Sequence, residues 1–223
     1  MPRHSMTQIF SPAADTWLRL AVVGFLSVCG GSVVGAIGFA RSAYVTSIDN
    51  APHQPVPFSH RHHAGELGID CRYCHADVEK GPKAGLPPTA TCMTCHSQIW
   101  TNAAMLEPVR QSLVENKPLR WVRVAKLPDY VFFRHDIHIA KGVGCVTCHG
   151  RIDTMPLTYR AHAFTMQFCL DCHRDPTPTL RPADKITDMT WKPAGNPRDV
   201  GAGIAAHVGI RSGELTHCYV CHR

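Results

Sequence analysis

The chain has 223 residues, among them 17 Gly, 17 Pro and 11 Cys, with 8% aromatic residues and a formal charge of +6 at neutral pH. So much turn-forming and so little core-forming material argues against a domain held together by its own apolar side chains. No basic run with interleaved aromatic residues accompanies the positive charge, which sets nucleic-acid binding aside.

From Leu20 to Ala40 no residue is charged, and a run of that length at helical rise crosses a hydrocarbon layer. The run exceeds the roughly 7 to 15 apolar residues of a cleaved signal, although Gly38-Phe39-Ala40 offers a small-residue processing site. An uncleaved transmembrane anchor is expected over residues 1–41, its amino terminus cytoplasmic. The flanking charges (Arg3 and Arg19 opposed by Asp15, against Arg41 and Asp49) orient it weakly. Gly31 and Gly35 share one helix face and would let a second membrane helix approach closely. Cys29 reads as a small hydrophobe, because Val28 before it fits lipoprotein processing badly. A linker rich in proline and polar residues follows over 42–57.

Beyond it, five pentapeptides place two cysteines two residues apart with a histidine directly after. They are Cys71 to His75, Cys92 to His96, Cys145 to His149, Cys169 to His173 and Cys218 to His222. A closed zinc site needs four ligands, which five isolated triplets could share only unevenly. A disulfide framework would not require the histidines. The spacing lets Cys71, Cys74, Cys92, Cys95, Cys145, Cys148, Cys169, Cys172, Cys218 and Cys221 form thioethers with five porphyrins. His75, His96, His149, His173 and His222 then reach the irons from the same side. The expected fold is that of a multihaem cytochrome c, with short α-helices and irregular loops wrapped around five covalently bound haem c, little β structure and one transmembrane helix. Ten porphyrin carboxylates would carry the net charge to about −4, so many basic residues become carboxylate partners or solvated surface. Covalent haem attachment takes place outside the bacterial cytoplasmic membrane, which puts everything after about residue 41 on the periplasmic or outer face.

Phe58-Ser59-His60-Arg61-His62-His63 and Phe133-Arg134-His135-Asp136-Ile137-His138 both read Phe-x-His-x-x-His. Phe58 leads to Cys71 and Phe133 to Cys145, the second interval being shorter by a single position, and each copy is followed by two haem motifs. That is an internal repeat. It divides the chain into two-haem units at 58–125 and 126–180, with a carboxy-terminal segment at 181–223 for the fifth motif. Ala103 to Val114 suggests a helix interrupted at Pro108, Leu119 to Tyr130 alternates enough for a short strand, and 174–200 reads as irregular surface chain.

The second axial ligands decide between electron transfer and chemistry at an open iron. His60 precedes Cys71 and His135 precedes Cys145 by nearly the same interval, a reach that returns each imidazole to the far face of its own haem. His63 and His138, one helical turn further, can serve the neighbouring haem and lock the pair together. For the remaining iron, Met155 precedes Cys169 and His207 precedes Cys218 at a comparable reach, whereas Met166 stands a single turn before Cys169. His162 is a further candidate, whereas His4, His53 and His217 are read as structural or exposed.

The Phe-x-His-x-x-His element resembles that of small multihaem periplasmic cytochromes, in which the two histidines serve different haems. With Phe58 to His75, Leu86-Pro87-Pro88-Thr89 to His96, and Leu127-Pro128-Asp129-Tyr130-Val131-Phe132-Phe133 through Met155, the chain resembles the pentahaem cytochrome c of alternative complex III over roughly 55–175. The resemblance implies integral-membrane subunits that oxidise quinol and an iron–sulfur, molybdopterin-enzyme-like subunit. The acceptor it implies is a monohaem cytochrome, a terminal oxidase or a soluble carrier, and no substrate chemistry falls to this chain. Where that family has a histidine after Arg-Val, Arg123-Val124 is followed here by Ala125, so one axial ligand must come from elsewhere. Two other functions compete. Pentahaem nitrite-reducing enzymes leave one iron open but carry a lysine in one motif, and here all five end in histidine. Single-anchor quinol dehydrogenases that act alone place their first motif close to the membrane, whereas here the whole stretch from Arg41 to Asp70 intervenes between Ala40 and Cys71.

Overall fold

A computed structural model describes residues 10–222; Arg3 and His4 lie outside the described residues. The chain divides into two compact units, one ending at Ser47 and one beginning at Ile48.

The first unit is α1 (Pro12–Arg41) with the short α2 (Ala43–Thr46). Pro12 sits at the first turn, where its missing N–H costs nothing, and Asp15 pairs with Arg19 at 2.9 Å one turn later. Among the described residues this is the one helix long and apolar enough to cross a membrane, and none of its most apolar stretch is buried within the protein.

The second unit is helical with almost no strand: α3 (Cys71–Cys74), α4 (Thr89–His96), α5 (Glu107–Glu115), α6 (His135–Ala140), α7 (Cys145–His149), α8 (Met166–Arg174), α9 (Pro197–His207) and α10 (Cys218–Cys221). One π-helical stretch, Arg61–Glu66, and several 3₁₀ turns join them. Pairing is confined to isolated bridges among the described residues, Ile48 with Arg160, Val131 with His222 and Val143 with Leu180.

Three sequence expectations change here. Pro108 does not interrupt a helix; it occupies the first turn of α5, after a 3₁₀ turn at Ala104–Leu106, where proline is tolerated. Leu119 to Tyr130 forms no strand, because its alternation finds no second strand to pair with. The irregular stretch ends early: Asn196 caps Arg198 N at 3.1 Å and Pro197 opens α9.

Val56, Leu106, Val109, Met155, Leu180 and Ile186 make up the buried hydrophobic core among the described residues. Val56, Leu106 and Val109 form one small cluster with Cys92, Met93, Ala103, Leu119 and Trp121 packed on it. A unit of this length offsets little of its conformational entropy with so thin a core, so the missing apolar contact has to come from outside its own side chains.

Candidate haem sites

Each pentapeptide folds as a single helical turn. α3 and α10 span the cysteines of their motifs, α4 and α7 end on the motif histidine, and α8 carries the fourth motif through His173. Cysteines at i and i+3 therefore leave one side of a helix, and the histidine follows at the turn's end. Caps start two of these turns: Asp70 accepts from Arg72 N at 2.8 Å before α3, and Thr165 accepts from Phe168 N at 3.3 Å before α8. None of the ten motif cysteines is paired in a disulfide.

Histidines from elsewhere face the motif histidines. His135 is parallel to His149, with ring centroids 6.4 Å apart and planes 7° apart. His63 and His96 are separated by 6.2 Å, and His138 and His173 by 6.0 Å. His60 lies near His75. Two imidazoles gripping one metal from opposite faces, each nitrogen about 2 Å away, hold their centroids about 6 Å apart. Three pairs meet that spacing.

Hydrogen bonds at Nδ1 leave Nε2 as the free atom. The acceptors are backbone carbonyls: Gly85 for His75 at 2.9 Å, Ile99 for His96 at 3.3 Å, Leu215 for His173 at 2.8 Å, Ser59 for His63 at 2.9 Å, Pro82 for His135 at 2.8 Å and Arg134 for His138 at 2.6 Å. His60 Nδ1 pairs with the Thr158 hydroxyl at 2.8 Å. A carbonyl can only accept, so each ring it holds keeps its proton on Nδ1 and turns a lone pair outward, the tautomer a metal ligand needs. Burial, with neighbouring imidazoles, takes the proton affinities of His60 and His149 down to about 4, so both are neutral at pH 7. Burial likewise lowers that of His138 and raises the Cys148 thiol to about 11.

The donor set fits a porphyrin on three independent grounds. Paired cysteines lie on one side of a turn, paired imidazoles leave room for one metal plane, and a buried cation waits beside the third motif. That cation is Arg181, packed on Gly144, whose Nε is the one buried side-chain polar atom without a partner among the described residues. A porphyrin carboxylate would satisfy it.

The fifth motif differs. His222 stacks with Tyr130 at 5.9 Å, Val131 bridges to His222, and Phe132 N donates to Cys221 O at 2.6 Å. Met155, only 2% exposed, lies beside the π-helical stretch Arg61–Glu66, its carbonyl accepting from Arg61 N at 2.9 Å. His207 ends α9 at a cavity of about 470 Å³ with Ile139, Ala140 and Ile204. Met166 is 62% exposed at the start of α8, and His162 stacks on Phe168 at 5.1 Å. His53 and His217 are exposed, the latter hydrogen-bonded to the Tyr219 hydroxyl at 3.1 Å. The carbonyls that orient the rings, Thr158 and Arg181 had no signal in the sequence; a carbonyl acceptor has no residue code.

No family model matches the chain. Over 128 residues it is 34% identical to a protein of Nitratidesulfovibrio vulgaris, strain Hildenborough, named menaquinone reductase, multihaem cytochrome c subunit. The match takes in 54% of this chain, which spans 60% of that relative's length. The similarity supports a multihaem cytochrome c.

Proposed function

We propose that this chain is a membrane-anchored pentahaem c-type cytochrome that relays electrons between a quinol-oxidising membrane complex and a separate electron acceptor. The pairing of imidazoles from the two repeated helices with motif histidines, at the spacing of a metal held from both faces, carries this reading. When bound, each haem supplies a one-electron Fe(III)/Fe(II) couple. His60, His63, His135 and His138 would close four irons against exogenous ligands, and the ten motif cysteines would fix the rings to the chain. At the first four sites the sulfur tethers and the carbonyl-held imidazoles would keep one geometry, which would lower the reorganisation accompanying electron transfer.

The organisation that follows is an anchor at 1–41, a linker at 42–57, two-haem units at 58–125 and 126–180, and a terminal segment for haem five. α1 anchors it in a bacterial cytoplasmic membrane with the haem units on the periplasmic side. Its partners are integral-membrane quinol-oxidising subunits, as the relative's name suggests. The resemblance to alternative complex III adds an iron–sulfur, molybdopterin-enzyme-like subunit and a monohaem cytochrome, oxidase or soluble carrier as acceptor. The distal ligand of the fifth iron is drawn from Met155, His207, Met166 and His162.

Mass measurement of the matured chain tests the reading: five haems are expected, and four or fewer would defeat it. In the reduced holoprotein, carbon monoxide should leave at least four haems unbound, since each is closed by a second imidazole. Quinol oxidation by the detergent-solubilised chain alone would instead favour a stand-alone quinol dehydrogenase.

A further inference from the structure

Order along the chain and order in space are different, and the cysteines reveal the second. Cys74 of the first motif neighbours Cys92 of the second. Cys71 of the first motif neighbours Cys145 of the third. Cys148 of the third neighbours Cys172 and Cys169 of the fourth, and Cys169 neighbours Cys221 of the fifth.

Backbone hydrogen bonds run along the same line. Pro82 and Gly81, in the loop after the first motif, accept from His135 N and Asp136 N at 3.4 and 3.3 Å, joining the first site to the helix that serves the third. Pro82 O also holds the His135 ring. His173 of the fourth motif donates to Leu215 O, three residues before the fifth. Among the motif cysteines only Cys95 and Cys218 are exposed, one in the second motif and one in the fifth.

We propose that the five haem sites form one unbranched line in the order two, one, three, four, five, so that electrons enter and leave only at the second and fifth sites. The inference rests on the haem reading above. Each hop oxidises one ferrous iron and reduces the next ferric iron, with no bond made or broken. A quinol-oxidising donor feeds one end and a one-electron acceptor drains the other. The first motif in sequence is thereby an interior site, and the repeat is joined through its two first haems rather than end to end.

The line can be read kinetically. In the full-length, detergent-solubilised holoprotein carrying Cys29→Ser, a ruthenium photosensitiser is attached at Asp129→Cys, next to the Tyr130 that stacks on His222, or at Gln98→Cys, beside the second motif. A flash then injects one electron at a chosen end. In separate variants, His138→Met, His135→Met, His60→Met and His63→Met raise the potential of sites four, three, one and two and give each a distinct long-wavelength band. From the label at 129, arrival at the marked iron should be earliest for His138→Met and later in turn for His135→Met, His60→Met and His63→Met. From the label at 98 the sequence should reverse. Arrival at site three before site four from 129, or at site three before site one from 98, overturns the order. Haem counting precedes the flash, so a chain short of five haems counts against the functional reading and not against the order. Should a methionine variant fail to mature, pulsed dipolar resonance on the fully oxidised wild type still decides. Two irons with one near neighbour and three with two are expected, and a branched or closed pattern sinks the proposal.

Discussion

The two histidine helices make the same site with different backbones. Phe58 stacks on His63 at 4.4 Å and meets His60 edge-on at 4.9 Å; Phe133 packs on His138 at 4.5 Å and meets His135 edge-on at 4.8 Å. In both, the second histidine donates to the carbonyl four residues earlier. In both, a glycine at positive φ, Gly68 at 66° or Gly142 at 86°, ends the helix three residues before the first cysteine. The residue after that glycine then donates to the second histidine's carbonyl at 3.0 Å, Ile69 to His63 and Val143 to His138. Yet the first loop has one more residue. Arg61–Glu66 takes it up as a π turn, with Leu67 N reaching back to His62 O, whereas His135–Ala140 stays α-helical. Side-chain geometry is held constant and the backbone hydrogen-bond pattern absorbs the length.

The most damaging way to break this equivalence is to remove a second histidine. His63→Ala and His138→Ala should each free the sixth position of one iron, at the second and fourth sites respectively. Each variant should gain one carbon-monoxide-binding haem with its haem count intact. Loss of two six-coordinate irons from either single change would show that the pairs are not independent.

Next comes the packing of the π turn. A Cβ at Gly65 would collide with the Asp153 carbonyl, which is backbone and cannot swing aside. Gly65→Ala should lower stability by about 1–3 kcal/mol, read as a drop in thermal midpoint. The glycines that end the helices give a finer contrast. Both sit at positive φ, where a Cβ costs about 1–2 kcal/mol. Gly68 has nothing within 4 Å, whereas a Cβ on Gly142 would lie 3.0 Å from Arg181 O and 3.2 Å from Ile204. Gly142→Ala should therefore be the more destabilising of the two, and equal losses would mean that strain alone decides.

Much of this was legible because side-chain spacing encodes it. The five turns, the repeated Phe-x-His-x-x-His and even the extra residue of the first copy are visible on comparing Phe58 to Cys71 with Phe133 to Cys145. What the extra residue becomes was not legible: a π turn and a longer loop have the same sequence length. Leu119 to Tyr130 misled because alternation signals a half-buried surface, and here the pattern runs along irregular chain with Leu119 and Trp121 packed on a small cluster. α9 was hidden by its Pro, Gly and Asp, although Pro197 and Asp199 are well placed in a first turn. Thr177 accounts for a glycine there: a Cβ on Gly201 would meet its carbonyl, so the residue that weakens helix propensity is the one that lets α9 pack.

The smallest expected effect separates the units by acid. Asp70 caps the first motif's turn, and its hydrogen bonds with Arg72, at 2.9 and 3.0 Å, hold its proton affinity down to about 2. Thr187 adds a hydrogen bond at 2.9 Å. The position before the third motif is Gly144, which has no carboxyl to titrate. A carboxyl held below its unfolded value of about 3.9 stabilises the fold above that pH and loses the contribution as pH falls towards about 2. Because the pair is substantially exposed, with side chains 46% and 42% accessible, the effect should stay below about 1 kcal/mol. The thermal midpoint of wild type minus that of Asp70→Asn should thus be small and positive at pH 7, shrinking between about pH 4 and pH 2. A difference that held constant across that window would assign the cap's contribution to hydrogen bonding alone, leaving the two units equally sensitive to acid.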